Sequence, residues 1–263
     1  MKRTPLPSSS SAHPDTGTDL RLNKAIAHSG LASRRAADAM IQEGRVTVNG
    51  VVTTEPGTRI NPAADSVTVD GAPLLLGDTK NHTYLLLYKP VQVVSTAKDP
   101  QSRKTVLDIL PPEYRGKRLY PVGRLDYFSE GLLLLTDDGE MTLRLTHPRY
   151  HLPKTYLVTV REAPSRTMLE TMRNGMTLAE GEKLSPVRVN LLEGKRNILE
   201  MTLNQGLNRQ IRRMCRDLGL TVLKLVRMST GPIFLDDLKP GAVRELTTAE
   251  LAALKKSVGL PSK

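Results

Sequence analysis

Gly123-Arg124-Leu125-Asp126-Tyr127-Phe128-Ser129-Glu130-Gly131-Leu132-Leu133-Leu134-Leu135-Thr136-Asp137-Asp138-Gly139 is the stretch on which the reading of this chain turns. Four consecutive leucines without polar alternation have the length of a strand buried on both faces. Asp137-Asp138-Gly139 turns that strand into a helix over 140–145. A Gly-Arg turn precedes Asp126. An aspartate at the mouth of a rigid sheet is held well enough to act as nucleophile or base. It can equally cap the turn or pair with Arg124, and these residues alone leave both readings standing.

Working outward, residues 84–88 form a strand that Lys89-Pro90 ends, and 91–96 continue the sheet. Residues 105–110 are a short helix or turn before Pro111-Pro112. Strands follow at 155–160, 187–192, 198–203 and 221–227. Helices follow at 165–174, 210–218 and 248–257. No regular βαβ alternation appears, so the fold class is α+β with a mixed, largely antiparallel sheet and flanking helices.

Towards the N-terminus, residues 20–72 form a separate small module. Ser33 caps its second helix, whose apolar face is Ala36, Ala37, Met40 and Ile41. Val46 and Val48 alternate with polar residues up to an Asn49-Gly50 hairpin turn. Residues 1–19, rich in Ser and Pro with no apolar core, read as a disordered tail rather than a secretory signal. The expected layout is therefore tail 1–19, module 20–72, linker 73–81, larger domain 82–257 and a C-terminal tail 258–263.

Composition narrows the partners. The chain has 263 residues, with 38 Lys and Arg against 27 Asp and Glu, a formal charge of +11. Such a surface suits a polyanion. No apolar run approaches the ~18–20 residues that span a bilayer. The single cysteine, Cys215, excludes internal disulfides and cysteine-cluster zinc sites, and makes the cytoplasm the simplest compartment. His147 and His151 are four apart, but Pro148 between them argues against a metal-binding helical face.

Arg21, Lys24, Arg34, Arg35 and Arg45 lie on or beside the small module's helices, off the apolar face. They suit RNA phosphates, or are a solvated face. In the larger domain, a nucleophilic carboxylate beside an apolar wall needs a cation to stay ionised. The helix starting at Gln210 offers one: Arg212 faces inward while Arg209, Arg213 and Arg216 face solvent or RNA. Tyr156, at a strand start after Lys154-Thr155, can stack on a base or be a core residue.

Taken together, these segments are similar to those of ribosomal RNA pseudouridine synthases that join an S4 RNA-binding module to a synthase domain, the RsuA/RluB-type group. Gly123–Gly139, Lys154-Thr155-Tyr156 and Asn208-Arg209-Gln210-Ile211-Arg212-Arg213-Met214 carry the resemblance. Tyr88-Lys89-Pro90 and the module's Ser33-Arg34-Arg35 and Gly44–Gly50 agree with it. The resemblance implies Asp126 as nucleophile, Tyr156 stacked on the flipped uracil, Arg212 paired with the carboxylate, and RNA contacts from Arg124, Lys154, Arg209 and Arg213. It implies isomerisation of a uridine in ribosomal RNA, with a lean towards the large subunit. The partner is rRNA or a pre-ribosomal particle, with no membrane and no obligatory protein partner, and the chain is a monomer.

Uridine to pseudouridine is redox-neutral and adds no atoms, so no cofactor and no metal is expected. The chain also lacks G-x-G-x-x-G and Walker A fingerprints. Two departures stand out. Val91-Gln92 occupy the place where the family commonly has a glycine after Lys-Pro, and Gln205-Gly206-Leu207 replaces a more basic approach to Asn208. Two rival readings remain: a non-catalytic S4-type RNA-binding protein, and a glycoside hydrolase pairing Asp126 with Asp137 or Asp138.

Overall fold

The computed structural model describes residues 19–76, 82–150 and 152–261. The chain divides into two compact units, one within residues 1–80 and one within 81–263.

In the small unit, β1 (Leu20–Arg21) leads into α1 (Leu22–His28) and α2 (Arg34–Gln42). The short strands β2 (Val46–Val48), β3 (Val51–Val52), β4 (Arg59–Ile60), β5 (Val67–Val69) and β6 (Ala72–Pro73) follow. Ser33 caps α2 by accepting from the Ala36 N–H, as its side chain predicts. Leu22, Ile26, Ala37, Ile41, Val46 and Ile60 make a small apolar core. That core extends beyond residue 72, where the sequence places the module's end. Ala72 and Pro73 pair with β5, and Leu74 and Leu76 pack on the same core. The expected linker therefore starts too early; its remainder, 77–81, lies outside the described residues, as do tail residues 1–18.

The larger unit carries a nine-stranded sheet in the order β11-β12-β10-β13-β9-β7-β15, with β14 on β13 and β8 on β9. In chain order its elements are β7 (Tyr84–Lys89), β8 (Tyr120–Pro121), β9 (Glu130–Thr136), α3 (Gly139–Thr146), β10 (Lys154–Val160), α4 (Arg166–Asn174), β11 (Arg188–Leu191), β12 (Ile198–Leu203), α5 (Gln210–Asp217), β13 (Val222–Thr230), β14 (Ile233–Phe234), β15 (Val243–Glu245) and α6 (Thr248–Ser257). Among the described residues, the strands of this sheet pair antiparallel except β13 with β9, which are parallel at Val226↔Glu130 and Arg227↔Gly131.

Strand β9 is buried throughout. Leu133 and Leu135 pack with β7 and the loop residues Val93, Val106 and Leu110, whereas Leu132 and Leu134 pack under α3 and α6. This is the physical reason its leucines run without alternation. Asp138 caps α3 by accepting from the Glu140 and Met141 N–H groups, each at 2.9 Å. The amphipathic α4 and α5 bury Leu169, Met172, Ile211, Met214 and Cys215 against β10–β12.

Two expectations fail here. Residues 91–96 do not extend the sheet: Pro90 ends β7, the chain turns at Val91-Gln92, and only an isolated bridge joins Val94 to Thr105. The C-terminal stretch from 258 is not simply a tail. Val258 is fully buried in the core beneath α3 and α6, and Arg144 donates to the carbonyls of Val258 and Gly259.

Candidate active site

The parallel seam between β9 and β13 sets the position of a cleft of about 490 Å³. Gly131 makes the seam possible. It sits at φ 106°, and a Cβ there would collide with the backbone N and O of Arg227, so only glycine allows the two strands this close. The loop preceding β9 carries Asp126 to the cleft wall.

That loop is anchored carbonyl by carbonyl. Ser95 Oγ donates to the Leu125 oxygen at 2.9 Å. The Ser129 N–H donates to the Asp126 oxygen at 3.0 Å and the Gln92 N–H to the Tyr127 oxygen at 2.7 Å. Arg212 Nη2 donates to the Phe128 oxygen at 2.7 Å, and Lys89 Nζ to the Ser129 oxygen at 2.8 Å. All five carbonyls from 125 to 129 are therefore engaged, and the Leu125 N–H donates back to Ser95 Oγ. A side chain on so constrained a backbone is preorganised.

Gln92 reaches its place at φ 62°, the left-handed region that glycine enters freely. That is where the family resemblance leads one to expect a glycine. The turn is built with Gln at a modest conformational cost, and its N–H still reaches Tyr127.

Arg124, Asp126, Lys154, Tyr156, Arg209 and Arg212 all line the cleft, as the sequence leads one to expect. Tyr156, on β10, lies opposite Met201 of β12 and Arg227 of β13. It is half-buried and packs against two of the apolar clusters. Lys154 Nζ donates to the Leu152 oxygen at 3.1 Å. Burial, and then the Arg227 charge, lower the Lys154 pKa.

Arg212 differs from expectation in detail. It enters the cleft, but among the described residues no ion pair of 4.0 Å or less joins it to Asp126. Its guanidinium instead holds the Phe128 carbonyl and, at 3.4 Å, Ser129 Oγ. Burial lowers its pKa while the Asp126 charge works the other way. Its contact with the Asp126 loop is thus through the backbone, with the two charges near enough to interact.

Arg213 is turned away from the cleft. It pairs with Glu182 at 2.6 Å and Glu180 at 3.9 Å, and its Nε donates to the Asn208 oxygen. These acids partner its charge on the outward side of α5, where helical spacing puts it. In the small unit Arg45 is likewise engaged, twice with Asp70 and once with Glu43, and these partners raise its pKa. Arg21, Arg34 and Arg35 are exposed and Lys24 is partly buried.

Two cationic residues were not singled out from the sequence. Lys89 is fully buried, with Nζ on the carbonyls of Pro90 and Ser129 at 2.8 Å each. Burial lowers its pKa to about 8, against the raising charges of Asp126 and Glu130. Arg227 is 4% exposed; its Nε donates to the Leu132 oxygen at 2.7 Å, and it lines the cleft. A readable signal existed in both cases: a cation flanked by apolar residues in a buried strand needs polar partners.

Among the described lining residues Asp126 is the one carboxylate, facing Arg124, Lys154, Arg209, Arg212 and Arg227. Asp137 and Asp138 are elsewhere. Asp137 accepts from the Thr83 N–H; Asp138 caps α3 and accepts from the Tyr84 hydroxyl at 2.7 Å. The second carboxylate that paired-acid hydrolysis requires is thus missing from the described cleft.

Comparison with known proteins agrees with this architecture. Residues 83–217 match the family described as RNA pseudouridylate synthase, and residues 20–65 match the S4 domain. A protein of Aquifex aeolicus (strain VF5), named uncharacterized RNA pseudouridine synthase, is 42% identical over 246 residues, covering 92% of this chain and 96% of that one. The ribosomal large subunit pseudouridine synthase B of Bacillus subtilis (strain 168) is 41% identical over 239 residues, covering 89% and 95%. A solved structure titled crystal structure of pseudouridylate synthase superposes with TM-score 0.65 at 30% identity, over 89% of this chain and 99% of that one. With an S4 domain ahead of a synthase domain whose sheet carries this cationic cleft, the chain belongs to the pseudouridine synthase family of isomerases.

Proposed function

We propose that the protein converts a uridine of large-subunit ribosomal RNA to pseudouridine, with Asp126 as nucleophile. The observation that carries the reading is the carboxylate itself. It is alone in a cationic cleft, on a loop whose five carbonyls are each held by a donor. The substrate follows from the S4 domain and from the relative in Bacillus subtilis named for the large ribosomal subunit. The enzyme acts in the cytoplasm as a monomer. A purely RNA-binding role leaves the clamped carboxylate without a purpose.

The reaction breaks the N1–C1′ bond, turns the uracil and forms a C5–C1′ bond. C5 gives up its proton and N1 gains one, so atoms and electrons balance. The base leaves its stack to enter the cleft, at a cost of a few kcal/mol that phosphate contacts to cationic side chains offset. Tyr156 supports the extruded ring by its face. Asp126 attacks as the carboxylate. Arg212 brings its positive charge near that carboxylate and fixes the loop through the Phe128 carbonyl. Attack on the sugar and attack on the ring both begin from this ionised side chain.

Tritium release from 5-tritiated uridine in ribosomal RNA tests the assignment. Asp126→Asn should lower release at least about a thousandfold and leave RNA affinity nearly unchanged; substantial release by the variant refutes the nucleophile. Carbodiimide-stopped reverse transcription of RNA from a deletion strain identifies the uridine. A lost stop in the small-subunit RNA alone would refute the large-subunit assignment.

A further inference from the structure

Arg227 and Lys154 are two carbonyl-held cations that line the cleft beside Tyr156. Arg227 is 4% exposed at the centre of the sheet, in register with Gly131 on one side and Tyr156 on the other. Paired residues on adjacent strands project to the same face, so its side chain lies beside that of Tyr156. Lys154 opens β10 two residues before Tyr156 and is close enough to Arg227 for the arginine charge to lower its pKa. Both line the cleft.

Neither cation has an acidic partner. Among the described residues no carboxylate comes within 4.0 Å of Arg227 or Lys154. Glu130, the nearest acid along β9, is paired with Lys224 at 2.9 Å. Both cations donate to main-chain carbonyls, Arg227 to Leu132 and Lys154 to Leu152. A carbonyl orients a cation without neutralising it. Two neighbouring, desolvated, un-neutralised cations are costly to a folded protein and together make a preformed anion site.

We propose that Arg227 and Lys154 form a phosphate subsite that grips one backbone phosphate of the nucleotide entering the cleft. The inference rests on the proposed RNA substrate and adds the contact that seats its backbone. The Arg227 Nε bond to Leu132 fixes the guanidinium plane, so the two terminal nitrogens are presented to the ligand. Lys154 supplies a second, point-like charge. With Tyr156 opposite Arg227 and two residues along β10 from Lys154, gripping the phosphate places the attached base against the tyrosine ring.

The test is the salt dependence of binding a uridine pentanucleotide, followed by fluorescence anisotropy for wild type, Arg227→Gln and Lys154→Gln. A lost phosphate contact lowers affinity about tenfold. It also reduces the slope of log K against log salt by about 0.7, the single-strand value per phosphate. A lost contact to a uracil carbonyl, or a structural defect, lowers affinity and leaves the slope as it was. An unchanged slope in Lys154→Gln, whose half-buried side chain is the safer to remove, overturns the proposal, and so does a wild type that fails to bind the pentanucleotide at low salt. Arg227→Gln is read only alongside its thermal melting; if it does not fold, Lys154→Gln decides. Pseudouridine formation by wild type is scored separately. A reduced slope without pseudouridine leaves the subsite standing and removes the proposed reaction; pseudouridine with an unchanged slope does the reverse.

Discussion

Four cations of the larger unit, Lys89, Lys154, Arg212 and Arg227, are held by main-chain carbonyls. Arg213 and Arg216 on α5, and Arg45 in the small unit, are held by carboxylates. Arg212 and Arg213 are neighbours on one helix. The first reaches the Phe128 oxygen; the second reaches Glu182 and Glu180, beside Arg216 with Glu180 and Asp217. Arg45 repeats the second pattern with Asp70 and Glu43. Lys89, Lys154, Arg212 and Arg227 repeat the first. A carbonyl fixes where a cation sits and leaves its charge available to a nucleophile or a phosphate. A carboxylate cancels it, which suits a residue whose work is to hold surface elements together.

The largest effect expected is on the seam that creates the cleft. Gly131→Ala should cost at least about 3 kcal/mol, because the new methyl meets Arg227 backbone rather than a movable side chain. Urea unfolding measures it, and a loss under 1 kcal/mol would show that the strands can separate without penalty. Next, Arg212→Ala should lower tritium release on the order of a hundredfold with little change in RNA affinity. A fall in salt-sensitive binding alone would place Arg212 with the phosphate contacts instead.

Lys89→Met removes the donor shared by Pro90 and Ser129 and should destabilise by about 2 kcal/mol. The pH dependence sharpens this. In the unfolded chain Lys89 keeps its proton up to its ordinary pKa of 10.5, whereas the folded protein releases it from about 8. Over that window the unfolded state binds more protons, so this group's contribution to stability rises with pH, and the excess stability of wild type over the variant should widen from pH 8 to pH 10. A constant gap in thermal melting across those pH values would mean the ammonium is not penalised by burial.

Smaller effects separate the two kinds of cation in the small unit. Replacing Arg34 and Arg35 together by Gln should weaken rRNA binding and flatten its salt dependence by one to two phosphate contacts, about 0.7–1.8 in slope, without moving the melting temperature. Arg45→Gln should do the opposite, lowering the melting point slightly and sparing the slope. Equal slopes for the two variants would erase the distinction drawn here. The smallest effect is a gain: Gln92→Gly relieves the left-handed backbone at φ 62° and should stabilise by less than about 1 kcal/mol.

The elements themselves were largely readable in the chain. The unalternating leucines of β9, the Ser33 cap of α2, the Asp138 turn into α3 and the apolar faces of α4 and α5 all have local causes, and local causes survive into the structure. Residues 91–96 misled because Val and Thr favour strands, whereas the Pro90 and Gln92 backbone conformations bend the chain away from the sheet. Leu74, Leu76 and Val258 looked like linker and tail because the apolar stretches that hold them are short and lack helical or strand periodicity, and what buries each is a distant element.

The amino-acid order by itself determined the α+β class, the S4-plus-synthase family, the identity of Asp126, Tyr156 and Arg212 as residues that meet in one cleft, and, through the net charge of +11, the polyanionic character expected of the partner. Tertiary structure decided which cations are left unneutralised. Helical spacing on α5 turns Arg212 inward and Arg213 outward, but it does not say what each side chain will meet. What separates them is whether a carbonyl from residue 128 or a carboxylate from residue 182 arrives within hydrogen-bond reach. That depends on strands brought together from far along the chain, where a bond of under 3 Å is set by packing and not by sequence spacing.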